Sequence, residues 1–128
     1  MVTLLEVILV ACGGAFGATS RFFIGRLSDT YLASLKFPLA TLVINIVGCF
    51  AIGYIAEISA RGTLSPHFRL LFVTGILGGF TTFSAFGLET ITLLRSGHLG
   101  LALTYVATSV VGGCLATYAG ILLFSPRP

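Results

Sequence analysis

Four long apolar segments constrain this chain more than any other feature of its sequence. They run over Leu4 to Ile24, Pro38 to Ile58, Phe68 to Leu94 and Leu99 to Phe124, with short connections between them. A helix needs about 20 mostly apolar residues to cross the hydrocarbon core of a bilayer. Mean hydropathy is +1.07 and only 9% of residues are charged. The sequence therefore predicts an all-α integral membrane protein, with four transmembrane helices in a single domain over residues 1–128.

The first segment starts with an acidic residue. Glu6 lies where a secretory signal would carry Lys or Arg, and no small-residue cleavage site follows before soluble sequence. We therefore expect this segment to be retained as a transmembrane helix. Since the four spans leave no room for a soluble catalytic domain, we do not expect an enzyme.

Positive charges are nearly balanced between the two sides of the predicted membrane. Four lie on one side and three on the other: Arg21, Arg26, Lys36 and Arg95 against Arg61, Arg69 and Arg127. Orientation normally follows an excess of Lys and Arg in cytoplasmic loops. So small an excess would let the chain insert either way up, which predicts dual topology. The chain has no long basic run, so nucleic-acid binding is not expected.

Cysteine and histidine residues give little sign of a disulfide framework or a metal site. Cys12, Cys49 and Cys114 fall within predicted spans, and no Cys-x-x-Cys spacing occurs. We interpret them as small packing residues. His67 and His98 lie in or beside loops without acidic neighbours in sequence, so a metal or proton-relay role is the less favoured interpretation.

Two spans carry polar residues at helical spacing on one face. The shared faces are Thr41, Asn45, Gly48 and Ile52 in the second span, and Tyr105, Ser109, Gly112 and Ala116 in the fourth. An amide at membrane depth is costly unless it is hydrogen-bonded. Asn45 therefore either bonds to a neighbouring helix or meets a polar substrate. Close helix packing alone could explain the stripe in the fourth span.

The third span contains a polar interruption, Gly78-Gly79-Phe80-Thr81-Thr82-Phe83-Ser84-Ala85-Phe86. Each glycine lowers helix propensity by about 1 kcal/mol relative to alanine, and the hydroxyls compete for backbone groups. Irregular backbone at membrane depth is tolerated only where it is buried in protein or lines a cavity. We therefore predict that the third helix is broken near its middle and that the break is a site.

The chemistry of this break suits either a cation or an anion. Unwound carbonyls suit a hard cation, whereas N–H groups and hydroxyls suit an anion. Phe83 and Phe86 lie one helical turn apart, and two rings turned edge-on could stabilise a partly dehydrated anion, since the edge of a phenyl ring is positive. Phenylalanines in membrane helices are more often lipid-facing or core residues, so the pattern alone leaves both interpretations open.

Three motifs together resemble the small fluoride channels of the Fluc or CrcB family. They are Gly13-Gly14-x-x-Gly17-Ala18-x-x-Arg21-Phe22, Pro38-x-x-Thr41-Leu42-x-x-Asn45-x-x-Gly48-x-Phe50-x-x-Gly53 and Thr74-Gly75-x-x-Gly78-Gly79-Phe80-Thr81-Thr82-Phe83-Ser84-x-Phe86-x-x-Glu89. The resemblance covers nearly the whole chain, and the motif spacing, chain length and four-span layout agree with one another.

This resemblance implies a passive channel that exports cytoplasmic fluoride through a bacterial inner membrane and so gives resistance to its toxicity. It implies an antiparallel homodimer with two pores built from both subunits. In such channels the amide of Asn45 and the ring edges of Phe83 and Phe86 meet the ion, and the carbonyls of Gly78 and Thr81 hold a structural sodium ion (Na+) at the dimer interface. The other implied pore residues are Thr41, Thr82, Ser84, Tyr105 and Ser109, and the vestibule candidates are Arg21 and Glu89.

A few positions depart from the usual pattern of the family: Ala40, Cys49, Ala85 and Gly113. They thin the hydroxyl lining but remove none of the implied ligands. We therefore expect selectivity to survive.

Two other classes of protein share parts of the pattern. A small multidrug-resistance transporter also has four spans and a dual-topology dimer, but it needs a membrane-embedded carboxylate in the first span, and Glu6 lies too near the terminus. A structural subunit would explain the glycine-rich faces and leave the break in the third span unexplained.

Overall fold

The computed structural model describes residues 2–124, without the side chain of Phe124, and this range folds into helices that form four spans. Arg127, counted above among the positive charges, lies outside the described residues. The elements are α1 (Leu4–Tyr31), α2 (Leu39–Ala60), α3 (Pro66–Arg69), a π-helical segment (Leu70–Leu77), α4 (Gly78–Phe80), α5 (Phe83–Arg95) and α6 (Leu99–Phe124). The stretch from α3 to α5 forms the third span, Pro66–Arg95. The predicted all-α membrane fold is confirmed.

The first helix is longer than its apolar part. Thr3 caps its start: the Thr3 N–H donates to Glu6 Oε2 at 2.7 Å, and the Glu6 N–H donates to Thr3 Oγ1 at 3.3 Å. The helix continues past the predicted end at Ile24 as far as Tyr31. Arg21 and Arg26 therefore lie on α1 itself, and the first connection is residues 32–38.

The helices pack in pairs that do not follow chain order. The most extensive contacts join α2 to α6, and α1 to the π-helical segment and α4. Glycine makes both approaches possible: a Cβ added at Gly17 would collide with the Ile76 carbonyl, and one added at Gly53 would collide with the Thr117 carbonyl. Small residues allow helix backbones to come this close within a membrane. Each pair is therefore held at backbone-contact distance.

The third span departs from α-helix geometry in two places. Before the glycine pair the helix is π-helical, and the Gly78 N–H reaches the carbonyls of Val73 and Gly75. After Phe80 the backbone becomes extended, with φ −78° and ψ 160° at Thr81 and φ −154° and ψ 116° at Thr82. The predicted break near the middle of the helix is confirmed.

The break lies at the two threonines, whereas the glycines beside them remain helical. A Cβ on Gly79 would collide with the Gly14 carbonyl of α1, so the absence of a side chain at this position serves close packing. The helix restarts at Phe83 because Thr82 caps it, with its Oγ1 accepting from the Ala85 N–H at 3.2 Å. Threonine is a favoured residue at such an N-cap.

Candidate ion pathway

A cavity of ≈ 730 Å³ lies beside the break, between α2, the third span and α6. The predicted site residues that line it are Asn45, Gly78, Thr81, Thr82, Phe83, Phe86 and Ser109. Cys49 and Cys114 also line it, as free thiols. Three separate stretches of the sequence therefore bring their polar positions to one cavity.

Asn45 joins α2 to the break through both ends of its carboxamide. Its Nδ2 donates to the Thr82 carbonyl at 3.0 Å, and its Oδ1 accepts from the Thr82 N–H at 2.9 Å. Buried backbone groups need such partners, and Thr82 is only 9% exposed. Of the two roles predicted for Asn45, the structure shows the bond to a neighbouring helix. Because Nδ2 carries two hydrogens, the second one remains for a ligand in the cavity.

Two backbone carbonyls at the break lose their usual helical donors. In an unbroken helix Gly78 would accept from the Thr82 N–H and Thr81 from the Ala85 N–H. Here these N–H groups donate to Asn45 Oδ1 and Thr82 Oγ1 instead. Among the described residues neither carbonyl accepts a backbone hydrogen bond. Both residues line the cavity, and free carbonyl oxygens are ligands that hard cations prefer.

The two phenylalanines lie side by side at the start of α5. Their ring centroids are 5.4 Å apart and the rings are tilted by 42°. Phe83 is 83% exposed, whereas Phe86 is half-buried and its ring lies 5.2 Å from the Tyr105 ring. The Phe86 ring is therefore packed inside the chain, whereas the Phe83 ring is exposed at the cavity.

Ser109 offers a hydroxyl that no described group uses. Its Oγ is buried without a hydrogen-bond partner in the described chain, and the residue lines the cavity. Its neighbour Thr108, by contrast, donates to the Thr104 carbonyl at 2.7 Å. Since buried hydroxyls normally have a partner, Ser109 is available to a ligand.

The Glu89 carboxylate joins three helices through hydrogen bonds that no sequence pattern indicated. Thr41 Oγ1 of α2 donates to Glu89 Oε1 at 2.7 Å, and the Tyr105 hydroxyl of α6 donates to Glu89 Oε2 at 2.6 Å. Tyr105 is fully buried, and the Phe37 ring packs against its ring at 5.5 Å. Thr41 and Tyr105 do not line the larger cavity, and their hydroxyls bond to Glu89.

A second cavity of ≈ 230 Å³ reaches this carboxylate from the first connection. Its lining includes Asp29, Lys36, Thr41 and Glu89, and Lys36 Nζ lies 3.2 Å from His98 Nε2. Glu89 thus lines a space that opens beside the first connection, and its role in a vestibule stays a prediction.

Three of the candidate residues line neither cavity: Ser84, Arg21 and the buried Tyr105. Ser84 bonds to the Thr82 hydroxyl at 3.3 Å and lines neither space. Arg21 is half-buried on α1 and also lines neither. Ser84 therefore supports the cap at Thr82, and the role of Arg21 stays a prediction.

Comparison with known proteins shows the family to which this chain belongs. The family described as "CrcB-like protein, Camphor Resistance (CrcB)" matches residues 8–121. A protein of Methylobacillus flagellatus is 46% identical over 119 residues, which cover 92% of this chain and 93% of that protein. One of Agrobacterium fabrum is 45% identical, covering 94% and 96%, and one of Helicobacter pylori is 38% identical, covering 93% and 92%. Each is named fluoride-specific ion channel FluC. This chain is a multi-pass membrane protein and belongs to the CrcB family.

Proposed function

We propose that this chain is a fluoride-selective passive ion channel that exports fluoride from the cytoplasm. Its relatives bear the name of such a channel. The observation that carries the proposal is the convergence of Asn45, Phe83, Phe86 and Ser109 on one cavity beside the break in the third span. A channel makes and breaks no covalent bonds, so we assign no catalytic residue.

The residues around this cavity match the chemistry of fluoride. Fluoride is small and strongly hydrated, so a narrow path must replace its water with donors and still let the ion leave. The second Asn45 N–H and the Ser109 hydroxyl are neutral donors, and the phenylalanine ring edges add weak positive potential. None of the described residues that line this cavity carries a charge. An anion would therefore be attracted without being trapped.

The functional unit that we propose is an antiparallel homodimer. The cavity is open on one side, where Phe83 is 83% exposed, so a single protomer provides only part of a pore wall. A second copy would close it, and the two-fold relation would give two equivalent pores. The near-even distribution of positive charges supports insertion in both orientations.

Sodium is the cation that we propose for the dimer interface. The residues fit it, because the Gly78 and Thr81 carbonyls lack helical donors and line the open cavity. Two copies would supply four such oxygens. A bound cation would supply a fixed positive charge that favours anions nearby, and its role would be structural.

Ion efflux from liposomes tests the proposed function. Purified protein is reconstituted with fluoride and then with chloride inside, and release is followed with ion-selective electrodes while valinomycin lets potassium balance the charge. We expect rapid fluoride release and no chloride release. Asn45→Asp and Phe83→Ile should strongly reduce it, whereas Phe16→Ile, at a phenylalanine of α1 that is 65% exposed and outside the cavity, should not. Absence of fluoride release from protein shown to be dimeric would contradict the proposal.

The transporter interpretation receives no support from the first span. Glu6 is the acidic residue that this class of transporter would need to use, and its carboxylate accepts the Thr3 N–H at the end of α1. Glu6 is half-buried and serves the helix cap. Efflux of a quaternary ammonium ion in place of fluoride would favour the transporter.

A further inference from the structure

We propose that Cys49 and Cys114 form a shared binding site for a soft monovalent cation of the copper(I) and silver(I) class, and that the bound cation blocks the ion pathway. The binding site rests on the two thiols alone. The block rests on the proposed function, because it requires the larger cavity to be the fluoride path.

Both thiols reach the larger cavity, one from α2 and one from α6. Cys49 is half-buried and Cys114 is exposed, and both are free and line the cavity of ≈ 730 Å³. A Cβ built on Gly113 would lie 3.3 Å from Cys49 Sγ, and Gly113 directly precedes Cys114 in the chain. The Cys49 sulfur therefore lies against the backbone of α6 beside Cys114.

The missing side chain at Gly113 leaves room for this sulfur. A Cβ at 3.3 Å would press on it, so any larger residue at this position would compete with a ligand of Cys49. Cys49 and Gly113 are also two of the positions at which the chain departs from the usual pattern of its family. The thiol site is therefore a property of this chain and is not expected of the family as a whole.

The chemistry of the donors selects the class of metal. Thiolate sulfur is a soft ligand that favours copper(I) and similar ions over hard cations such as magnesium. Among the described residues, no group of three or more His, Cys, Asp or Glu side chains could hold a metal, so the tetrahedral ligand set of a structural zinc ion is not offered. Copper(I) and silver(I) form linear complexes with two thiolates, and two thiols are what the cavity provides.

Binding changes the charge inside the cavity. Each thiol gives its proton to the solvent, because the thiolate is the metal ligand. Each sulfur then donates an electron pair to the cation, which stays monovalent, so nothing is oxidised or reduced. Two thiolates and one monovalent cation leave one net negative charge.

This charge would lie on the proposed fluoride path. Cys49 follows Asn45 by four residues and Gly113 follows Ser109 by four, which places the thiols about 6 Å along the helices from the amide and the hydroxyl. None of the described residues that line the cavity carries a charge. Because charges interact more strongly away from bulk water, the complex would repel fluoride as well as fill part of its path.

The competing interpretation is the one made from the sequence, in which the cysteines only fill space. Each thiol would then react with silver by itself, and the loss of one would not weaken binding at the other. The third cysteine offers a control for such independent reaction. Cys12 is an exposed thiol of α1 that lines neither cavity.

The first test measures fluoride efflux from chloride-free liposomes to which silver nitrate is added. We expect silver to stop efflux from the wild-type protein. Cys49→Ser and Cys114→Ser should each raise the half-inhibiting silver concentration by at least about tenfold, the loss that even an outer-shell partner of a metal causes. Cys12→Ser should leave it unchanged. Equal inhibition of the wild type and of the Cys49→Ser, Cys114→Ser double variant would overturn the block.

The second test requires no ion flux. Silver is titrated into the purified Cys12→Ser protein in weakly buffered detergent solution slightly below neutral pH, while the ultraviolet absorption of silver–thiolate bonds and the release of protons are recorded. We expect one silver ion per chain and two protons for each silver ion. One proton for each silver ion would show that the thiols bind separately and would overturn the shared site.

The outcomes separate the two proposals. Absence of fluoride efflux before silver is added would refute the proposed function, and the proton release would still decide the metal site. Silver bound by both thiols with undiminished efflux would refute the block of the pathway.

Discussion

Replacing Asn45 with leucine should destabilise the fold, because the Asn45 side chain of α2 bonds to the backbone of Thr82 in the third span. The carboxamide pairs with both the N–H and the carbonyl of Thr82, at 2.9 and 3.0 Å. Leucine has a similar volume and can pair with neither. Thr82 is 9% exposed, so water reaches these groups poorly. Because Thr81 and Thr82 are extended, hydrogen bonds of a regular helix cannot replace those lost with Asn45.

The magnitude follows from the two groups left unpaired. Each buried donor or acceptor without a partner costs about 1 to 3 kcal/mol, so Asn45→Leu should lower the free energy of unfolding by about 2 to 6 kcal/mol. The control is Val47→Leu, on the same helix at a side chain that is 50% exposed. We expect this change to remain within about 0.5 kcal/mol of wild type, as exposed substitutions usually do.

The assay is reversible unfolding in mixed micelles with increasing dodecyl sulfate. Because the chain has no tryptophan, far-ultraviolet circular dichroism is the suitable signal. If Asn45→Leu unfolds within about 0.5 kcal/mol of wild type, the Thr82 groups find other partners, and the role of Asn45 in closing the break is wrong.

Three further predictions concern the pore, the packing and the cation. Phe83→Ile should reduce fluoride efflux by more than about tenfold and leave the unfolding free energy within about 0.5 kcal/mol, because the ring is 83% exposed in the protomer; efflux and circular dichroism on one preparation check this. Gly53→Ala should lower the free energy of unfolding by about 1 to 3 kcal/mol, because the added methyl group would force α2 away from α6 at the Thr117 carbonyl. Its control is Gly25→Ala, where a Cβ meets nothing within 4 Å, which should stabilise α1 by up to about 1 kcal/mol. Equal effects of the two variants in unfolding measurements would refute the packing argument. Replacing sodium with N-methylglucamine should lower the melting temperature of the dimer, and an unchanged temperature at all sodium concentrations would argue against the site at the Gly78 and Thr81 carbonyls.

Features that depend on the bilayer or on local chemistry could be predicted from the sequence. Bilayer thickness fixes the length of an apolar span, so the four spans could be found without knowledge of their packing. The polar interruption around Thr81 and Thr82 predicted the break and a site at it, because irregular backbone at membrane depth is tolerated only where it is buried in protein or lines a cavity. The resemblance to fluoride channels then selected Asn45, Phe83 and Phe86, and the structure brings these three to one cavity.

Features that depend on contacts between helices were not accessible from the sequence. Gly79 lowers helix propensity when taken alone, yet it remains helical here, and its lack of a side chain leaves room for the Gly14 backbone. The end of α1 lies beyond Ile24 because helical geometry can continue into the polar residues that follow the apolar segment. The bonds from Thr41 and Tyr105 to Glu89 require the relative positions of three helices, which periodicity within one helix cannot supply.

The order in which the helices pair has a consequence for biosynthesis. Among the described residues, the most extensive contacts join the first span to the third and the second to the fourth, and contacts between consecutive spans are less extensive. As the chain leaves the ribosome, α2 enters the bilayer before its partner α6 has been made. The backbone contact at Gly53 and Thr117 can form only after the last span is synthesised. We therefore expect nascent chains that end before Leu99 to hold α2 without its main partner and to be recognised by membrane proteases, so quality control of this small protein would act at the final step of translation.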